Sequence, residues 1–144
     1  MTVEEYLGRI KEIDVEIWEI ISELEDLREL QERLPTGCGA GGSGSVGNAS
    51  FTKLTEKIVE YENRLAEKKE ELFRERMQKR DEIEAIQDWR YRIILKERYL
   101  HFKSYEKIAE IIGVSERHFH RIKLKDKAHE AFAKIYKHVI ESQL

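Results

Sequence analysis

The sequence predicts an all-α protein: a long N-terminal helical hairpin or coiled coil followed by a C-terminal helix-turn-helix module. Three observations carry this expectation. Apolar residues recur at alternating three- and four-residue spacings through the first 34 positions. Charged residues make up 38% of the 144 positions and there is one proline, a balance that favours long solvated helices over a compact mixed fold. Residues 104–125 hold two short amphipathic segments separated by Gly113, Val114 and Ser115.

The first helix, residues 1–35, opens on Thr2 with Glu5 three positions later, the spacing of a capping box. Val3, Ile10, Ile17 and Leu24 occupy one seam position of a heptad, and Tyr6, Ile13, Ile20, Leu27 and Leu34 the other. Gln31 is the one polar seam residue. Leu7, Trp18, Ile21 and Leu30 lie off the seam and widen the apolar face, which calls for more than one partner helix and favours a dimeric bundle. Pro35 is expected to end the helix.

Residues 36–50 carry six of the eight glycines and read as a flexible Gly/Ser linker. The segment lacks the Gly-Lys-Ser/Thr ending of a phosphate-binding loop, so nucleotide binding is set aside. A second long helix, 51–87, holds a seam of Phe51, Leu54, Ile58, Tyr61, Leu65 and Leu72, which Lys68 and Glu75 then break. Its stretch from Glu67 to Glu82 is almost wholly charged, relieved by Leu72, Phe73 and Met77. Glu–Lys and Glu–Arg pairs four apart suit a solvated helix there. Two long helices about a linker are expected to fold back antiparallel.

Residues 88–144 form the C-terminal module. Its first helix, 88–100, should pack through Ile94, Leu95 and Tyr99, with Trp89 a further candidate. His101-Phe102-Lys103 connects it to Ser104, the N-cap of the next helix. Ile108, Ala109 and Ile112 share one face of that helix, and the small side chain of Ala109 lets two steeply crossing helices approach. Gly113 closes the helix as a residue that tolerates positive φ. Val114 plugs the turn and Ser115 caps the second helix. Phe119 and Ile122 turn back to the core. Beyond Lys125, the residues Ala128, Phe132, Ile135, Tyr136 and Val139 either extend the second helix or form a last one after a break near Asp126.

Facing outward on the second helix and beyond it are Ser115, Glu116, Arg117, His118, His120, Arg121, Lys123, Lys125 and Lys127. These residue types bond phosphates and base edges. Arg117, His118, Arg121 and Glu116 are the candidates for base edges, and Lys123, Lys125, Lys127 and His120 for the backbone. A hairpin with a purely structural core has the same apolar spacing; the outward basic and histidine cluster decides for double-stranded DNA. Charge distribution agrees. Residues 1–34 carry four Lys/Arg and eleven Asp/Glu, whereas 88–144 carry thirteen and eight and all five histidines.

The segments Arg98-Tyr99-Leu100, Ser104 to Glu110, and Gly113 to Arg117 with the helix that follows resemble a sigma-70-type region 4 module over about 88–125. The complete layout is similar to the RinA/ArpU-like late-gene activators of phages and prophages of Gram-positive bacteria, which place a helical region ahead of such a reader. The opening Thr-Val-Glu-Glu-Tyr-Leu-Gly-Arg-Ile resembles them less specifically. The resemblance implies promoter-proximal DNA binding and activation of phage late genes. Phe119 departs from the smaller Val or Ile of such recognition helices, and His118, His120 and Arg121 from their basic and polar set, so a standard −35 sequence is not implied. Nothing resembles the sigma region that melts the −10 element.

Other chemistries find no footing. His118 and His120 are two apart, not three or four, so they do not share a helix face as metal ligands would. No cofactor is expected. The carboxylates spread around helices without a paired dyad, and Ser–His and Cys–His nucleophile signatures are missing, so no enzyme is predicted. Tyr91, Tyr99 and Tyr105 read as core in preference to base-stacking residues. The lone Cys38, the absence of an 18-residue apolar run, and Glu4 and Glu5 in place of a basic leader predict a cytoplasmic chain without a membrane partner. The expected partners are double-stranded DNA, a second copy in a homodimer, and host RNA polymerase. Two rival readings are an interaction module docking on RNA polymerase and the DNA-recognition subunit of a phage terminase.

Overall fold

A computed structural model describes residues 1–34 and 44–142. Its helices are α1 (Val3–Arg33), α2 (Gly44–Glu84), α3 (Trp89–Tyr99), α4 (Tyr105–Ile112), α5 (Glu116–Arg121) and α6 (Leu124–Ser142). All regular structure among the described residues is helical, as the sequence predicts, and no helix there is long and apolar enough to cross a membrane. The chain divides into two compact units: unit 1 is Met1–Glu12 with Leu72–Leu144, and unit 2 is Ile13–Glu71.

Element bounds differ from the sequence expectation around the linker. Pro35, Cys38 and the expected linker positions 36–43 lie outside the described residues. Gly44–Ser50, expected as linker, is instead the start of α2. A helix interior glycine costs roughly 1 kcal/mol against alanine, which extension from a long existing helix can absorb because only nucleation is expensive. At its other end α2 stops at Glu84, three residues before the expected 87.

Unit 2 is an antiparallel pair of helix segments. Its polar pairings run in opposite directions along α1 and α2: Glu16 with Lys68 at 2.6 Å, Arg28 with Glu62 at 3.0 Å, Gln31 with Thr55 at 3.0 Å. Ile20, Leu24, Leu27 and Ile58 are buried between them, with Leu54, Tyr61 and Leu65 packed alongside. These are the seam residues of both segments. Gln31 sits on the seam and donates its amide N–H to the Thr55 hydroxyl, which in turn donates to Phe51 O at 2.9 Å, so the polar seam position is satisfied. Where Lys68 breaks the α2 seam, its ammonium bridges Glu16 and Glu71 and its pKa is raised chiefly by the Glu16 hydrogen bond. Of the off-seam residues, Ile21 is half-buried and Trp18 and Leu30 are exposed.

Unit 1 gathers the beginning of α1, the end of α2 and α3 to α6 around one core. Tyr6, Leu7, Ile83, Ile86, Ile94, Leu95, Ile108, Ala109, Phe119, Leu124, Ala128, Phe132 and Ile140 form it. The capping box forms as its spacing predicts: Thr2 N donates to Glu5 Oε2 at 3.2 Å and Glu5 N to Thr2 Oγ1 at 3.1 Å. Lys79 is only 3% exposed. Its ammonium is paired with Glu75 Oε2 at 3.0 Å and lies over the Tyr6 ring face, 3.8 Å from Nζ to the centroid. The Tyr6 hydroxyl donates to both Glu82 oxygens, at 2.8 and 2.9 Å, and burial followed by the Glu82 contact raises its pKa. The turn after α2 is closed by Arg92, whose guanidinium donates to Ile86 O at 2.6 Å and Gln87 O at 2.7 Å. Trp89, a candidate packing residue, is exposed at the start of α3, where Ile94 and Leu95 supply the packing.

Candidate nucleic-acid interface

The interface is built on α4, its turn and α5. Ser104 caps α4, its hydroxyl accepting from Lys107 N at 3.3 Å. Gly113 ends α4 with φ 92°, and Val114 N donates back to Ala109 O at 3.0 Å while Gly113 N reaches Glu110 O at 3.1 Å. This is the bond pair of a Schellman end, which satisfies carbonyls that a helix terminus otherwise leaves open. A Cβ placed on Gly113 would meet nothing within 4 Å, so glycine is required there by backbone conformation and not by space. Ser115 then caps α5, accepting from His118 N at 3.1 Å. The turn is therefore fixed at both sides by backbone geometry that the Gly-Val-Ser sequence dictates.

Packing fixes how α5 is presented. Phe119 is fully buried, its ring 5.9 Å from that of Tyr105, and Ile122 packs at the core margin. Ile108 and Ala109 are buried beneath it and Ile112 and Val114 pack against them. With Phe119 inward, Glu116, Arg117, His120 and Arg121 stand exposed on the other side of α5, and Lys123 just beyond it. His118 is half-buried and its Nδ1 lies 3.2 Å from Arg121 Nη2. That contact pairs the two candidate base-reading side chains with each other in the unbound chain. Glu116 lies 3.7 Å from His120 Nε2, an ion pair only when the imidazole is protonated.

The break after α5 falls at Ile122–Lys123, earlier than Asp126. Lys123 has φ 55°, a left-handed backbone that is costly for a side chain bearing Cβ. The turn it makes sends Leu124 and Ala128 into the core. Lys125 and Lys127 therefore belong to α6 and not to α5. Lys127 is exposed. Lys125 Nζ is 3.3 Å from Glu4 Oε1 and 5.1 Å from the Tyr105 ring centroid. Ser115 likewise has its hydroxyl committed to the cap.

His129 was not among the residues singled out from the sequence. It is half-buried and structural. Its Nδ1 donates to Lys125 O at 2.6 Å, since a carbonyl can only accept. Its Nε2 lies at hydrogen-bond distance, 2.6 Å, from the Tyr99 hydroxyl oxygen. Burial is the main cause of a raised Tyr99 pKa. This chain of bonds ties α3 to the first turn of α6, directly behind Lys125 and Lys127. The pairing of positions 99 and 129 had no sequence signal, because the partners are thirty residues apart.

Several cations elsewhere in unit 1 are matched: Lys96 with Glu84, Arg90 with Asp88, Lys103 with Glu97, Lys107 with Glu110. Arg98 lies over the Tyr105 ring at 4.4 Å and donates to Lys103 O at 3.1 Å. Among the described residues, Arg117, Lys123 and Lys127 form no ion pair, and Arg121 contacts only His118 through a hydrogen bond. Unit 1 holds nineteen Lys/Arg against fifteen Asp/Glu, and unit 2 seven against fourteen. Comparison with protein-family models, with curated proteins and with solved structures returns no match.

Proposed function

We propose that this chain is a sequence-specific double-stranded DNA-binding transcriptional regulator, working as a homodimer in the cytoplasm and activating phage late genes. The single observation that carries the reading is the uncompensated cationic surface of Arg117, Arg121, Lys123 and Lys127 on and beside a short helix held outward by a buried Phe119. Unpaired cations at fixed spacing beside a helix of groove dimensions suit phosphate contacts and base-edge readout. The likeness of residues 88–125 to sigma region 4 supports promoter DNA as the target and RNA polymerase as a neighbour.

In this reading Arg117 and Arg121 read bases, His118 is freed from Arg121 on binding, and Lys123, Lys127 and His120 hold the backbone. Lys125 positions the surface through Glu4. The test is capture of genomic fragments by the purified full-length chain, followed by footprinting and by titration of the best site. Arg121→Ala is expected to cost about 1–3 kcal/mol on the preferred site, roughly tenfold to a hundredfold, and much less on unrelated duplex. Equal affinity for all duplexes, unaltered by Arg121→Ala, would refute sequence-specific reading. A chain that binds no duplex at low salt would move the function to a protein partner.

A further inference from the structure

We propose that a second copy of this chain docks through two helix stripes of opposite charge, one on α1 and the other on α2. The α1 stripe is Val15, Trp18, Glu19 and Ser22; the α2 stripe is Phe73, Arg76, Met77 and Arg80. Each follows the i, i+3, i+4, i+7 spacing that places four side chains in one line on a helix. All but the half-buried Arg76 are exposed. Trp18, at 70%, and Phe73, at 65%, are the two most exposed large apolar side chains among the described residues. Neither joins the core of its unit. Side chains of this kind gain most when an interface covers them.

Charge selects the occupant. Beside Val15 and Trp18 stand Glu19 and, one heptad on, Asp26, both exposed and without an ion pair among the described residues. Beside Phe73 and Met77 stand Arg76 and Arg80, also without one. The acidic stripe repels itself and so does the basic one, so neither pairs with its own likeness in a symmetric contact. Each finds its complement on the other stripe, which every further copy of the chain carries. The partner is thus a second copy, with Trp18 of one set against Phe73 and Met77 of the other and the acidic and arginine residues facing across the margin.

The inference rests on the dimeric part of the reading above and not on DNA recognition, so the two are tested separately. Sedimentation of the full chain without DNA is expected to show a dimer. Glu19→Lys with Asp26→Lys, and separately Arg76→Glu with Arg80→Glu, each leave the stripe facing like charge and are expected to weaken self-association about tenfold or more. Mixing the two variants one to one restores opposite signs and should restore the dimer. Trp18→Ser and Phe73→Ser should weaken it without loss of helical circular dichroism, since both positions are solvent-facing. A monomeric wild-type chain, a dimer indifferent to both charge sets, or a mixture that fails to reassociate would each overturn the proposal. So would loss of DNA affinity in the Arg76→Glu, Arg80→Glu chain at unchanged oligomeric state, which would give that stripe to nucleic acid.

Discussion

At Lys123 stability and binding pull against each other. A non-glycine residue at φ 55° carries a conformational cost of about 1–2 kcal/mol, and Lys123 carries it at the junction of α5 and α6 with its ammonium in solvent. Lys123→Gly removes the strain but gives the unfolded chain more freedom, so the net gain is expected near 0.5–1 kcal/mol in denaturant unfolding. On the proposed reading the same substitution removes a phosphate contact, so DNA affinity should drop while the melting temperature rises. An unchanged DNA affinity would deny Lys123 a role at the interface. Nothing in the sequence marked this position, because breaks are read from glycine and proline and here a lysine makes one. The Lys125–Glu4 ion pair had no sequence signal for a related reason: the partners lie far apart in the chain, where spacing rules do not reach.

For whole elements, the capped helix termini and the seam of α1 were legible, and the off-seam faces were not. The Thr2–Glu5 box, the Ser104 and Ser115 caps and the Gly113 terminus all form as their local sequences require, because each is settled within a few residues. The seam of α1 was legible for the same reason of short period: Ile13, Ile17, Ile20, Leu24 and Leu27 are buried as the three-four spacing demands. The fate of Leu7 and Trp18 was not. Both lie off the seam, yet Leu7 enters the unit 1 core and Trp18 stays in solvent. Only the neighbours of each position decide, and periodicity is blind to them. The cap of α3 offers a pH test. Asp88 accepts from Arg90 N at 2.9 Å and from its guanidinium at 3.1 Å, and the Arg90 side chain holds its pKa below the ordinary 3.8. A carboxylate with a lowered folded-state pKa stabilises the fold above its unfolded pKa, and that contribution fades as pH falls through the folded value. Wild type should therefore lose more stability below about pH 4 than Asp88→Asn, which keeps the cap but not the charge. Parallel acid-unfolding curves for the two would show that Asp88 contributes nothing through its ionisation.

Over the whole molecule the charge is segregated, with a net excess of cations in unit 1 and of anions in unit 2. Binding of duplex should then be steeply salt-dependent, with log affinity falling by about 0.9 per neutralised phosphate for each unit of log salt. The two lysines proposed to hold the backbone, Lys123 and Lys127, predict a slope of about −2 per half-site, and Lys127→Ala should reduce it by about 1. An unchanged slope would exclude Lys127 from the backbone contacts. The all-α architecture was within reach of sequence because period and caps are local; the division into two units was not, since it cuts both α1 and α2 within continuous helix. One detail of unit 2 bears on how the long helices find each other. A seam of interchangeable isoleucines and leucines would let one helix slip past the other by a heptad at little penalty. The amide of Gln31 disfavours this, because another alignment parts it from its acceptor, the Thr55 hydroxyl. Replacing the pair with aliphatic side chains should thus yield a more heat-resistant but less uniquely aligned chain, a vernier with its zero mark erased.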